Sequence, residues 1–119
     1  MSDLALAGFE VTTGLHIGVE RDHHIDVERA TQMTTRFRKQ AGPGAVKGLM
    51  TDRAIIDEIL AQPGCAGIRM YFALEADNSP TLVVVGVDAN GLDLYHGVMA
   101  EDHYPCPPFC DGNGSPLKG

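Results

Sequence analysis

Two apolar segments in the second half of the chain constrain its fold most. Residues 66–74 alternate between apolar and polar side chains, which is typical of a strand with one buried face. Residues 81–87 are apolar at nearly every position, as expected of a central strand that is buried on both faces. Asn90-Gly91 follows, and this dipeptide is a strong signal for a tight hairpin turn. The sequence therefore predicts a three-stranded antiparallel meander, with its third strand near residues 92–98.

Two helices are predicted before the meander, over residues 26–40 and 52–62. Asp26 is suited to cap the first helix, because its carboxylate can accept the free N–H groups of the first turn. Gly42-Pro43-Gly44 ends that helix, and Pro63-Gly64 ends the second. Two helices followed by a meander predict an α+β fold in which both helices pack on one face of a small antiparallel sheet.

The alternation in residues 66–74 predicts which face of that strand meets the helices. We expect Arg69 and Tyr71 to face away from the helices. The strand residues expected against the helices are Ile68, Met70, Phe72 and Leu74. The predicted core consists of Phe37, Ile55, Ile59, Leu60, Ile68, Met70, Phe72, Val83, Val85 and Val87.

Composition divides the chain into three parts. Residues 1–24 form an N-terminal extension, in which the alternation from Leu15 to Val19 predicts a short strand that covers one edge of the sheet. Residues 25–100 form the α+β core domain. Residues 101–119 form an extended tail that is rich in proline and cysteine and is predicted to be loop throughout.

The charge balance excludes one large class of partners. Sixteen acidic residues against nine basic ones give a net charge of -7, and such a surface repels phosphate backbones, so we expect no nucleic acid as a partner. The N-terminal residues show neither a basic signal-peptide region nor an apolar run that is long enough for a membrane span. We therefore expect a cytoplasmic protein that binds other proteins and no membrane. The sequence sets no oligomeric state.

The segment Cys106-Pro107-Pro108-Phe109-Cys110 is the most unusual feature of the sequence. Each proline fixes its own φ and disfavours the helical region in the residue before it, which predicts an extended backbone. Full extension would separate the two cysteine Cα atoms by about 12 Å, whereas a disulfide needs roughly 4.4–6.8 Å. We therefore rank reduced thiols on a docked tail first, a shared metal site second and a local disulfide third. Phe109 is the expected anchor, and Pro107 and Pro108 join it in an interaction surface.

The same two cysteines are candidate metal ligands. Thiolates at a C-x2–4-C spacing are typical of zinc sites, with His103 upstream as a third candidate ligand. The candidates for a fourth ligand are Cys65, His23 and His24. Zinc is thus the cofactor that this alternative implies. Structural zinc sites usually show two close cysteine pairs and this chain has one, so cysteines that pack as small apolar side chains are the favoured interpretation.

Four polar side chains of the sheet region are candidates for a cleft: Arg69, Tyr71, Asp88 and His96. A solvated sheet face explains these residues without any ligand and is the favoured interpretation. Cys65 lacks the flanking signature of a catalytic cysteine, which favours an inert thiol. The sequence shows no convergent set of acid, base and nucleophile, and an enzyme is therefore not the favoured interpretation.

Four phrases are distinctive in combination: residues 59–72 (ILAQPGCAGIRMYF), 84–91 (VVGVDANG), 104–110 (YPCPPFC) and 115–117 (SPL). They resemble a family of small Bacteroidetes-type bacterial proteins that have a C-terminal Cys-Pro-Pro-Phe/Tyr-Cys tail. The resemblance covers residues 25–117; it implies the fold unit and the tail, and it supplies no catalytic residue. The function that we expect is a non-catalytic accessory or interaction module, because preordered proline-rich segments dock at low entropic cost. The alternative is a metal- or thiol-dependent protein that uses the C-terminal cysteines.

Overall fold

The computed structural model describes residues 20–119 of the chain. They form an α+β fold that contains two helices, a three-stranded antiparallel sheet and a separate two-stranded sheet, so the predicted fold class is confirmed. The elements are α1 (Val27–Ala41), β1 (Gly48–Met50), α2 (Arg53–Leu60), β2 (Cys65–Leu74), β3 (Pro80–Asp88), β4 (Met99–Ala100) and β5 (Tyr104–Cys106). The larger sheet has the strand order β2-β3-β4, and the smaller one pairs β1 with β5.

The described residues fall into two compact units. The first contains Ala54–Met70 and Val84–Ala100, and the second contains Asp22–Arg53, Tyr71–Val83 and Glu101–Gly119. The second unit therefore holds α1, β1, β5 and the cysteine-containing tail. Within the described part of the chain, no helix is long and apolar enough to cross a membrane.

Helix α1 begins and ends close to the residues that its sequence predicts. The Asp26 side chain accepts a hydrogen bond from the Arg29 N–H at 2.8 Å, which satisfies one of the free donors of the first turn. Gly42 ends the helix with a φ of 86°, a conformation that favours glycine, and its N–H donates to the Arg38 carbonyl. No side chain of this helix is buried. Capping at both ends, and not core packing, therefore defines the bounds of α1.

The core of the first unit forms where α2 packs on the sheet. Ile59 is completely buried and lies in one cluster with Val84 and Ala100. Three half-buried apolar side chains pack against this cluster: Ile55, Ile56 and Val98. Gly86 permits the close approach of α2, because a Cβ atom at this position would lie 3.3 Å from Cγ2 of Ile59 and 3.1 Å from Sγ of Cys65.

The predicted register of β2 is wrong. The apolar side chains that we expected against the helices are exposed, and Phe72 is the extreme case with 95% of its surface accessible. These exposed residues are Ile68, Met70, Phe72 and Leu74. The alternate positions Cys65, Gly67 and Arg69 are half-buried instead. The physical reason is twofold. Helix α2 approaches the sheet over small residues such as Gly86. Arg69 is held on the half-buried face of β2 by an ion pair with Asp93 at 2.6 Å.

Only part of the predicted core is buried. Ile59, Val85 and Val87 are buried as predicted, and Ile55 and Val83 are half-buried. The prediction is wrong for five residues, which are exposed: Phe37, Leu60, Ile68, Met70 and Phe72. On the helices the reason is geometric. Helix α1 buries no side chain and α2 has only eight residues, so neither supplies the wide buried stripe that its apolar periodicity predicts.

The tight turn after β3 forms where the sequence predicts it. The Asp88 carboxylate accepts hydrogen bonds from the N–H groups of Asn90 and Leu92, at 2.9 and 3.0 Å. Gly91 has a φ of 81°, which a residue with a Cβ atom rarely adopts. The turn is therefore fixed by its own sequence, through one carboxylate and one glycine.

The third strand, predicted at residues 92–98, is interrupted. The paired positions are Val87 with Asp93, Val85 with Met99 and Val84 with Ala100. In an unbroken ladder Val85 would face Tyr95, so the chain makes an excursion before β4 begins. Gln62 holds this excursion in place, because its side chain accepts from the Val98 N–H at 2.8 Å and donates to the Ile59 carbonyl at 2.9 Å. A contact from outside the meander thus overrides the local strand pattern.

The tail contains a strand, so the prediction that it is loop throughout is wrong. The paired positions of the two-stranded sheet are Gly48 with Cys106, Leu49 with Pro105 and Met50 with Tyr104. The Lys47 N–H extends this ladder by donating to the Cys106 carbonyl at 2.8 Å. Pro105 is tolerated because each strand of a two-stranded sheet is an edge strand. The partner strand lies far away in the sequence, and local patterns therefore do not reveal the pairing.

The predicted edge strand at Leu15–Val19 lies outside the described residues. The same holds for most of the predicted N-terminal extension, of which only residues 20–24 are described. The proposal that this extension covers a sheet edge therefore stays a prediction.

We expect substitution of Ile59 and of Phe72 by alanine to have opposite outcomes. Ile59→Ala removes a completely buried side chain and should lower the free energy of unfolding by about 2–5 kcal/mol. Phe72→Ala removes a side chain that is 95% exposed and should change it by less than about 0.5 kcal/mol. Urea denaturation of both variants measures the difference. Equal losses in the two variants would contradict the register that the structure shows.

Candidate interaction site

A disulfide bond closes the segment from Cys106 to Cys110 into a loop. The Cα atoms of the two cysteines lie 4.6 Å apart. The Phe109 N–H donates to the Pro105 carbonyl at 2.8 Å, so the backbone reverses its direction inside the loop. The peptide bonds before both central prolines are cis. The most unusual sequence feature of the chain is therefore a covalently closed turn.

The predicted extended tail with three reduced thiols is wrong. The disulfide, which sequence analysis ranks last, is formed, and Cys65 is the free cysteine of the chain. The expected Cα separation of about 12 Å assumes a polyproline backbone throughout. The backbone instead reverses its direction between Cys106 and Cys110. Sequence reasoning fails here because it treats the prolines as rigid extenders, whereas in this segment they form a turn.

Three large side chains form an exposed surface beside the loop, and we call Met50, Tyr104 and Phe109 the aromatic face. Met50 and Tyr104 are opposite each other in β1 and β5, so their side chains lie on the same side of the two-stranded sheet. The Phe109 ring packs edge-on against the Tyr104 ring, with centroids 5.5 Å apart and planes at 72°. Aromatic pairs prefer this geometry. All three side chains are exposed, Phe109 to 57%.

Carboxylates border the aromatic face at Tyr104. The Tyr104 hydroxyl donates a hydrogen bond to the Asp52 carboxylate at 3.2 Å. The negative charge of Asp52 raises the pKa of Tyr104 above its ordinary value of 10.0, and the hydrogen bond and the charge of Asp102 act in the same direction. Tyr104 is therefore protonated at neutral pH. It presents a hydrogen-bonded phenol within an acidic surrounding.

The three residues predicted for an interaction surface lie together in the disulfide loop. Pro107, Pro108 and Phe109 are all exposed. Phe109 was expected to anchor a docked tail, but its ring lies at the surface and has the Tyr104 ring as its aromatic partner. The loop therefore displays Phe109 outward.

The candidate metal ligands do not form a metal site in the part of the chain that the structure describes. Cys106 and Cys110 are joined to each other, and Cys65 donates to the Gly67 carbonyl at 3.2 Å. His103 is buried, and its Nε2 atom lies 3.0 Å from the Leu82 carbonyl oxygen, an acceptor to which the ring N–H donates. Within residues 20–119, no group of three His, Cys, Asp or Glu side chains is placed to hold a metal ion.

The candidate cleft residues make contacts that stabilise the fold, and the cleft itself stays a prediction. Arg69 forms its ion pair with Asp93, and the Asp88 carboxylate caps its own turn. The His96 ring lies against the ring of the tyrosine before it, with centroids 4.2 Å apart. Tyr71 is exposed. Arg69 also donates to the Gly91 carbonyl at 3.2 Å, so Arg69 and Asp88 both hold the turn after β3.

The excursion before β4 lines a cavity of about 430 Å³ in the first unit. Its lining includes Pro63, Leu94, Tyr95 and His96. Gln62 also lines it, but both polar groups of that side chain are bonded to the backbone. Asp93 is paired with Arg69, so Tyr95 and His96 supply the remaining polar side chains. The rings of these two residues contact each other, and they are the polar groups that this cavity offers to a ligand.

Comparison with known protein families, with curated proteins and with solved structures gives no match for this chain. The resemblance to the Bacteroidetes-type family stays a prediction. The function has to be inferred from the geometry of the chain itself.

Two members of the aromatic face, Met50 and Tyr104, are not predicted from the sequence, and neither is the neighbouring carboxylate of Asp52. Met50 and Asp52 precede α2, more than fifty residues before Tyr104, and only the β1–β5 pairing brings them together. One local signal was available. Tyr104 and Phe109 flank the two prolines and lie just before and just inside the cysteine pair, so closure of that pair places the two rings close together.

We expect alkylation to detect one reactive cysteine in protein that is prepared and unfolded without reductant, because only Cys65 is free. After reduction, all three cysteines of the chain should react. Mass spectrometry counts the labels in each case. The matched control is Cys65→Ser, which should show no label before reduction. Three labels on unreduced protein would contradict the disulfide.

Proposed function

We propose that this chain is a non-catalytic interaction module that binds a partner protein through its aromatic face. The observation that carries the proposal is the exposed Tyr104–Phe109 ring pair, which stands on a disulfide-closed loop. Exposed aromatic side chains that are held in one geometry are typical of binding hot spots, because they bury a large area at low conformational cost.

Rigidity supports this role. The disulfide closes one end of the surface and the β1–β5 ladder supports the other, where Met50 lies opposite Tyr104. Binding therefore freezes few additional rotatable bonds. The entropic cost that usually offsets interface contacts is reduced for a preorganised surface of this kind.

The charge around the aromatic face indicates the chemistry of the partner. Asp52 accepts a hydrogen bond from Tyr104, and Asp102 lies close enough to influence the same hydroxyl. The whole chain carries a net charge of -7. A partner with an apolar pocket for Phe109 and a rim of lysine or arginine side chains fits this surface, because complementary charge speeds association and selects against acidic competitors.

The contacts of the polar side chains favour binding over catalysis. The Cys65 thiol donates to the Gly67 carbonyl and the His103 ring donates to the Leu82 carbonyl, so both side chains are bonded to the backbone.

The alternative is a thiol-dependent protein, and one observation favours it. Cys106 and Cys110 form a disulfide of short sequence separation, and a cysteine pair of this kind can exchange with external thiols. The same observation disfavours the zinc form of this alternative in oxidised protein, because the metal ligand is a thiolate and not a disulfide sulfur.

Affinity capture with the full chain tests the proposal. We expect the immobilised protein to retain a stoichiometric partner from an extract of the source organism. Phe109→Ala should weaken that binding by about 30-fold, which corresponds to the roughly 2 kcal/mol that defines a hot spot. Phe72→Ala is the matched control, because it removes the same side chain from another exposed position and should leave binding unchanged.

Two outcomes would contradict the proposal. One is a partner that is lost with Phe72→Ala and kept with Phe109→Ala. The other is equal capture by all three proteins, which would show that no bound protein uses the aromatic face.

A further inference from the structure

Helix α1 presents an apolar groove that another segment of the chain partly fills. Met33 and Phe37 remain 46% and 54% exposed on this helix. Leu117 joins them in lining a cavity of about 180 Å³, together with Arg38 and Lys47. We call Met33, Phe37, Arg38 and Lys47 the α1 groove. The groove is independent of the aromatic face.

The segment in the groove is held by its main chain. The Arg38 guanidinium donates to the Leu117 carbonyl, and the Lys47 ammonium donates to the Lys118 carbonyl at 2.7 Å. Any residue offers a carbonyl group, so these two bonds select an extended backbone and not a particular sequence. The Leu117 side chain is the specific element, because it lines the cavity together with Met33 and Phe37.

The hold on this segment is incomplete. Leu117 is still 44% exposed although it lines the cavity. Gly112 and Gly114 precede it, and a Cβ atom at either position would meet nothing within 4 Å. The Asp111 carboxylate accepts hydrogen bonds from the N–H groups of Asn113 and Ser115, so this link is a turn that its own side chains hold. These bonds lie within the segment itself, and its release from the groove would leave them intact.

A basic cavity adjoins the groove. It has a volume of about 380 Å³, shares Arg38 and Lys47 with the groove, and is also lined by Lys39. No acidic side chain lines either cavity among the described residues. The chain's own segment places the backbone carbonyl of Lys118 next to one of these cations. An acidic residue at that position would satisfy the basic side chains better than lysine does, because opposite charges attract and like charges repel.

We propose that the α1 groove is a binding site for an extended peptide of a partner protein, in which leucine is followed by an acidic residue. The chain's own residues 115–118 occupy the groove as a built-in competitor. A partner peptide has to displace them, and their covalent link to the rest of the chain gives them an effective concentration on the order of millimolar. The acidic residue provides the affinity that the chain's own segment lacks.

Fluorescence anisotropy with the full-length chain tests this proposal. The probe is the labelled peptide Asn-Gly-Ser-Pro-Leu-Glu-Gly, which is the sequence of residues 113–119 with glutamate in place of Lys118. The variant Leu117→Ser removes the internal competitor's apolar anchor without adding charge. We expect the probe to bind this variant at least about tenfold more tightly than the unaltered chain, because the competitor is weakened. The peptide with the natural lysine should bind the variant about tenfold more weakly than the probe.

Control variants separate the groove from unspecific effects. Leu92→Ser alters another exposed leucine and should bind the probe like the unaltered chain. Arg38→Met in the Leu117→Ser background should weaken binding by about tenfold, because a charged donor to the peptide backbone is lost. Circular dichroism confirms that each variant is folded. On probe titration of the Leu117→Ser protein, the NMR amide signals of Met33 and Phe37 should shift.

Three results would overturn the proposal. The first is equal probe affinity of the unaltered chain and the Leu117→Ser protein. The second is any sign that the probe binds elsewhere, either an affinity that Arg38→Met leaves unchanged or Met33 and Phe37 signals that do not shift on titration. The third is a dimer of the unaltered chain that Leu117→Ser abolishes, since that result would assign the groove to a second copy of this chain and not to a partner peptide.

Discussion

The disulfide between Cys106 and Cys110 is the constraint on which the candidate site depends. It holds the two Cα atoms 4.6 Å apart and converts a proline-rich segment into a closed turn. The turn begins at the end of β5, whose pairing with β1 fixes the position of Tyr104. Phe109 lies inside the loop and meets the Tyr104 ring. One covalent bond and one short ladder thus produce an exposed aromatic surface without help from a large apolar core.

A second constraint acts in the first unit, where close packing selects small residues. Helix α2 approaches the sheet at Gly86, and Ile59 is buried completely as a result. The strand face that meets a closely packed helix is therefore the one with small side chains, and the larger apolar side chains of β2 lie on the other face. Amphipathic alternation identifies two faces of a strand, but the volume available under the helix decides which one is covered.

The sequence predicts those features of the fold that depend on neighbouring residues. The Asp26 cap, the Gly42 helix end and the Asp88–Gly91 turn each rest on side chains within a few positions, and the structure has all three. The predictions fail where distant segments decide. The interrupted third strand depends on Gln62, which reaches in from the end of α2.

The candidate site shows the same division between local and distant signals. The sequence singles out Phe109 and its two prolines, because the cysteine pair and the prolines stand together in five residues. Met50 and Asp52 join the site only through the pairing of β1 with β5 and the hydrogen bond to Tyr104. The sequence ranks the disulfide last because an extended backbone would separate the two cysteines too far. In the structure the backbone reverses its direction inside the loop and brings them together.

Nuclear Overhauser contacts between the ring protons of Tyr104 and Phe109 test the central claim most directly, when they are recorded on oxidised protein and again after complete reduction. The ring centroids lie 5.5 Å apart in the structure. We expect clear contacts in the oxidised protein and their loss after reduction, because the disulfide holds the loop against β5. Contacts that persist unchanged in the reduced protein would show that the disulfide does not hold the aromatic face together. Their absence from the oxidised protein would contradict the aromatic face itself.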